Sequence, residues 1–149
     1  MMLIVLDKLP RKAARLVPDK IKFKQLLELG QLICSTGISS TFKPVSQGKE
    51  IQEWIKKNPR WTFFYFENLY CWSAQWINMS NETKYKFNKI LYDFREVLKD
   101  EDNLIPNTII FRYSSQYKGT QYSNNSELPT REAIKEYQKY VEWKGKIWQ

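Results

Sequence analysis

Lys20, Lys24, Glu28 and Gln31 recur at i, i+4, i+8 and i+11, a spacing that raises all four side chains from one face of a helix. Leu26, Leu29, Leu32 and Ile33 share the opposite side as a core-facing stripe. One carboxylate set among lysines, in a chain of formal net charge +8, marks a place to look for chemistry on nucleic acid. The plainer reading of the same spacing is a solvated face with a Lys24–Glu28 pair, worth a few tenths of a kcal/mol.

The rest of the composition narrows that chemistry. The chain has no histidine, which removes the commonest general base near pH 7 and the usual metal ligand. Cys34 and Cys71 are far apart and match no zinc or redox spacing. Both sit in apolar helical patterns, so buried free thiols in a reducing compartment are expected. Five glycines form no phosphate-cradling loop, and no Walker, EF-hand or metal-binding pattern appears. The run Asp100-Glu101-Asp102 reads as a solvated loop rather than a metal site. No cofactor and no metal are expected. The opening Leu3-Ile4-Val5-Leu6 run is too short for a signal segment and Asp7 interrupts it. Nothing approaches a membrane span, and the reading is a cytoplasmic protein.

The elements that must position these groups read as a mainly α, single-domain helical bundle of five to six helices over residues 1–149, with one short extended segment. Pro10 opens a short basic helix, Arg11 to Leu16. Asp19 is placed to cap a helix running to about Cys34. Lys49 to Lys57 is amphipathic, burying Ile51, Trp54 and Ile55, and Asn58-Pro59 breaks it. From Arg60 to about Met79 the aromatics are nearly continuous, which predicts a central helix buried on most sides. Asn81 is read as the cap of a helix from Glu82 to Leu98. Residues 99–129 are the least regular, with an extended piece within Asn107 to Tyr113 and a polar, mobile stretch over 114–126. Thr130 caps a last helix, Arg131 to about Lys144, and a tail from Trp143 to Trp148 closes the chain.

Two segments join positive charge to rings. Residues 8–24 carry Lys8, Arg11, Lys12, Arg15, Lys20, Lys22 and Lys24, enough to grip phosphates if they converge. The tail interleaves Lys139, Tyr140, Trp143, Lys144, Lys146 and Trp148. There lysines meet phosphates and an exposed ring stacks on a base, unless the rings simply dock the tail on the core. A sequence pI near 9.4 agrees with a polyanionic partner.

Asp19-Lys20-Ile21-Lys22-Phe23-Lys24 followed by Glu28 and Gln31 resembles the D-K-H-x-x-K-x-x-x-E-x-x-Q segment of a group of small phage proteins. Those in turn look related to pyrimidine-dimer DNA glycosylases of the endonuclease V type. The Asp7…Pro10…Ala13-Ala14 opening, Lys43-Pro44, Trp54, Asn58…Trp61 and Tyr137…Lys139-Tyr140 agree in order. The resemblance implies an all-helical fold in which a helical Glu, here Glu28, stands beside the N-terminal amine. The amine attacks C1′ of the damaged nucleotide and forms a Schiff base, the Glu assists ring opening and strand cleavage, and a base leaves the stack. The chain departs from that pattern at Ile21, where the motif has His, and at Leu27 and Gln31, where the glycosylase has arginines. It opens on Met1-Met2, where the glycosylase exposes a small threonine amine.

Three functions follow as expectations. The first is a glycosylase and abasic-site lyase acting on double-stranded DNA. Its catalytic set is Glu28 with the amine of Met1 or Lys24, and its DNA grip is Arg11, Lys12, Arg15, Lys20, Lys22, Gln31, Lys139, Tyr140, Trp143, Lys144 and Lys146. The second is a DNA-binding protein on that scaffold without catalysis. The third is a phage effector that docks on a host protein through the aromatic tail and the 114–126 loop. No membrane partner enters any of them.

Overall fold

The central aromatic stretch forms the helix around which the others assemble. The computed structural model describes residues 1–100, 102 and 104–148. In chain order it holds α1 (Pro10–Leu16), α2 (Asp19–Ser35), α3 (Lys49–Lys57), α4 (Pro59–Trp76), α5 (Asn81–Val97), β1 (Thr108–Phe111), β2 (Ser126–Pro129) and α6 (Thr130–Trp148). Helix α4 packs against α1, α2, α3 and α5, while α6 lies against the two strands and β1 touches α3. The architecture is the mainly α bundle the periodicity predicts.

Aromatic packing explains why α4 is helical despite its sheet-forming residues. Trp61, Tyr65, Phe66 and Leu69 are fully buried and recur at i, i+4, i+5 and i+8, a helical face. Trp61 stacks on Tyr65 at 4.9 Å and meets Trp54 of α3 edge-on at 5.6 Å. Each such pair adds about 0.5–1.5 kcal/mol beyond the area it buries. The first six residues belong to no helix or strand, and Leu3 to Leu6 are buried in the same core.

Several boundaries differ from the sequence reading for local reasons. Asp19 is the first residue of α2 with Pro18 before it, and its carboxylate accepts from Lys22 Nζ at 2.8 Å rather than capping the helix. Ser80, not Asn81, caps α5, its hydroxyl accepting from the Thr83 N–H. Helix α4 stops at Trp76, where Ile77 turns extended. Helix α6 begins at Thr130, whose hydroxyl donates to the Pro106 carbonyl at 2.5 Å. It runs on through Gly145 to Trp148, because one glycine costs a helix only about 1 kcal/mol.

The stretch read as irregular supplies a strand. Ser126–Pro129 pairs antiparallel with β1, Ile109 facing Leu128. Pro129 sits at the strand's end, where a missing N–H is tolerated. Within 114–126, Tyr117 is buried against Tyr113, Tyr140 and Trp143. Cys34 is buried as expected; Cys71 is exposed, on the outer side of α4. Glu101 lies outside the described residues. Among the described residues, no group of three metal-ligating side chains occurs. No helix there is long and apolar enough to cross a membrane.

Gly48 precedes α3 with φ +69°, a conformation that L side chains enter at about 1–2 kcal/mol. A Cβ there would also lie 2.9 Å from Leu32 Cδ2 and 3.5 Å from Met1 Cβ. Gly48→Ala is therefore expected to lower stability by at least that backbone cost, read as a reduced urea midpoint at unchanged slope.

Candidate active site at the amino terminus

Helix α2 presents one face to the first residues of the chain. Gln25 is buried and acts there as a strand partner. Its Oε1 accepts from the Ile4 N–H at 2.8 Å, and its Nε2 donates to the Met2 carbonyl at 2.9 Å. One turn along, Glu28 Oε2 accepts from the Met2 N–H at 3.2 Å. From behind, the Tyr65 hydroxyl donates to the Ile4 carbonyl at 2.7 Å. Three side chains thus fix residues 2 to 4.

The Met1 amine is consequently held beside Glu28, Lys24 and Arg112. Burial and the Arg112 guanidinium press it below the ordinary α-amino value of 8.0, Glu28 opposes them, and Lys24 adds to the lowering. Lys24 Nζ stands 4.0 Å from Glu28 Oε1, with the lysine side chain 75% exposed and the carboxylate 25% exposed. Of the two candidate amines, Met1 is the partly desolvated one.

A cavity of about 90 Å³ opens beside Lys24 and Glu28, with Met2 but neither Met1 nor Arg112 in its lining. Ile4, Ile21 and Val141 form its apolar wall, while Lys24, Gln25, Glu28 and Lys144 supply the polar groups and Tyr140 and Trp148 the rings. Ile21, which stands where the phage motif has His, is part of that apolar wall. Lys144 lies over the Trp148 and Tyr140 rings at 5.8 and 6.0 Å. The α6 extension to Trp148 therefore builds the side of the cavity that faces α2. The cavity offers Glu28 to move protons and lysines to hold an anion, while the Met1 amine, a nucleophile coupled to the same carboxylate, stands outside its lining.

The remaining predicted residues divide among different surfaces. Lys20 is exposed on α2, and Gln31 is half-buried one turn beyond Glu28. Lys22 points inward, donating to the Arg15 carbonyl and to Asp19, because it shares the face of Leu26, Leu29 and Ile33. Its ammonium is held by those two acceptors, at the edge of the open space lined by Arg11, Arg15 and Trp72. Tyr140 is buried, its hydroxyl accepting from the Ser114 N–H, and Trp143 packs on Tyr117 and Tyr140. Tyr140 is thereby withdrawn from base stacking, while Trp143 is half-buried. Lys139 pairs with Glu136 and Lys146 with Glu142. Lys12 pairs with Asp7, while Arg11 and Arg15 are exposed on α1.

Sequence reasoning missed Gln25, Gly48 and Arg112. Gln25 carried a signal, a lone amide at i−4 and i−7 from the core residues Leu29 and Leu32. Arg112, 84 residues beyond Glu28 in the chain, carried none. Compared with protein families, with curated proteins and with solved structures, the chain matches none.

Proposed function

We propose that this protein acts on DNA as a base-excision and abasic-site lyase, with the Met1 amine as nucleophile and Glu28 as the proton-transfer group. The observation that carries the reading is the amine itself, partly buried, pressed toward its free-base form and held beside a carboxylate. In the free-base form the amine attacks C1′ and displaces the base as the N-glycosidic bond breaks, and ring opening then gives a Schiff base. At an abasic site it adds to the C1′ aldehyde, and loss of water gives the same Schiff base. Glu28 moves the protons that open the ring and let the strand break. Lys24, Lys144 and Arg112 surround the carboxylate and amine with positive charge suited to the flanking phosphates. The resemblance of the Asp19–Gln31 segment to the phage glycosylase group supports the same reading.

Borohydride trapping on a duplex with one abasic site tests it, after intact-mass analysis of the protein. A covalent adduct mapping to Met1 is the expected result. A gel shift without an adduct would leave a DNA-binding protein without catalysis. The absence of both would overturn DNA as the substrate. The effector reading has less support, since Tyr117 and Trp143, rings it would use, are packed against one another and Tyr140.

Arg112 provides a pH test. Its positive charge disfavours the ammonium form of Met1, so Arg112→Gln should raise the amine's pKa. The pH midpoint of Schiff-base formation, measured by trapping yield at early times, is expected to move up. An unmoved midpoint would show that Arg112 does not act on the reacting amine.

A further inference from the structure

The outer face of α4 and the neighbouring face of α1 enclose a trough with a different chemistry from the Glu28 cavity. It consists of two open cavities, of about 400 and 480 Å³, that share Arg11 and Arg15. Along α4 its floor carries Arg60, Phe64, Asn68 and Trp72, a face repeating every four residues. Twelve residues separate Arg60 from Trp72, so the row is about 18 Å long. Arg11 lies 5.3 Å and Arg60 6.0 Å from the centroid of the Phe64 ring. Trp72 has Lys22 over it at 5.1 Å.

The charge in this trough is one-sided. The carboxylates Asp7 and Asp19 pair with Lys12 and Lys22, and Glu67 pairs with Arg95 toward α5. Among the described residues, no carboxylate pairs with Arg11, Arg15 or Arg60. Three guanidiniums gathered around an aromatic row repel one another until an anion lies between them. Guanidiniums take phosphate oxygens in a bidentate fork, and half-exposed rings take the faces of bases. Lys22 on α2 faces this trough while Lys24 and Glu28 face the amine, so the two surfaces occupy different sides of that helix.

We infer that the α1–α4 trough is a binding track for single-stranded nucleic acid, its phosphates on Arg11, Arg15 and Arg60 and its bases against Phe64 and Trp72. A row of separated rings with cations between them suits unstacked bases, which a duplex does not offer. The inference does not depend on the amine chemistry, since an undamaged strand suffices to test it.

The exposed Cys71 lines the trough and provides a local reporter, the other thiol being buried. Fluorescence anisotropy with a labelled oligothymidylate, run beside a duplex of equal length, measures the affinity. Maleimide labelling of Cys71 with and without the strand measures where it lies. Expected are tighter binding of the single strand than of the duplex, and slowed Cys71 labelling in its presence. The Arg11→Glu, Arg60→Glu double variant should weaken single-strand binding at least tenfold and flatten its salt dependence. Both substitutions replace solvent-accessible side chains, and circular dichroism checks the fold. Unchanged single-strand affinity in that variant, or Cys71 labelling unaffected by the strand, would overturn the track. Failure of Schiff-base trapping, by contrast, would leave it standing.

Discussion

Glu28→Gln is expected to reduce strand cleavage at an abasic site by about 10²–10⁴-fold, the usual contribution of a positioned proton-transfer group, with DNA affinity nearly intact. The substitution keeps an oxygen able to accept from the Met2 N–H, now 3.2 Å from the carboxylate, so residues 2 to 4 should stay in place. It also removes the one neighbouring charge that stabilises the Met1 ammonium, since Glu28 raises that amine's pKa while burial, Arg112 and Lys24 lower it. The free amine should therefore persist to lower pH in the variant. Trapping with borohydride, which needs the Schiff base but not strand scission, should survive with its midpoint moved down. A merely structural carboxylate would behave differently, its loss lowering trapping and cleavage together. Cleavage at the wild-type rate would remove Glu28 from the chemistry.

The parts of this fold that were legible in the sequence are those where one helical face decides the outcome. The Lys49–Lys57 helix, its buried Ile51, Trp54 and Ile55, and the fully buried row Leu26, Leu29, Leu32 and Ile33 follow from periodicity alone. Lys22 shows how a charge count misleads. Its place in the sequence is a basic run, but its place on the helix is the inward row, and the fold holds it with a carbonyl and a carboxylate. Trp143 and Trp148 were open between a docked tail and a base-stacking tail; Trp143 packs on Tyr117 and Tyr140, while Trp148 stands at the Glu28 cavity. Ser126–Pro129 was hidden because its pairing partners lie 15 to 21 residues away across polar sequence. The candidate site was half legible. Glu28 and Met1 could be named from the resemblance of one segment. Arg112 could not, because only the return of β1 toward α6 and the amino terminus brings it to the amine.

Trp61→Ala is expected to lower stability by about 3–5 kcal/mol, the range for deleting a buried large aromatic, a large share of the 5–15 kcal/mol typical of a domain. Its ring is fully buried, and it links three parts of the fold. It stacks on Tyr65, meets Trp54 edge-on, and its Nε1 donates to the Lys8 carbonyl at 2.9 Å. The melting temperature should fall by roughly 6–20 °C for a chain of this size. Tyr65→Phe isolates the functional half of the same cluster. It keeps the stacked ring but deprives the buried Ile4 carbonyl of its hydroxyl partner, costing about 1–3 kcal/mol. Because that bond helps to fix residues 2 to 4 against Gln25 and Glu28, the Met1 amine should lose its set position while the bundle stays folded. Trapping rate well below the melting transition should then fall more than the small stability loss explains. A Tyr65→Phe protein that traps at the wild-type rate would mean that Gln25 and Glu28 position the amine by themselves. A Trp61→Ala protein that melts like the wild type would mean that α4 is not the centre of this core.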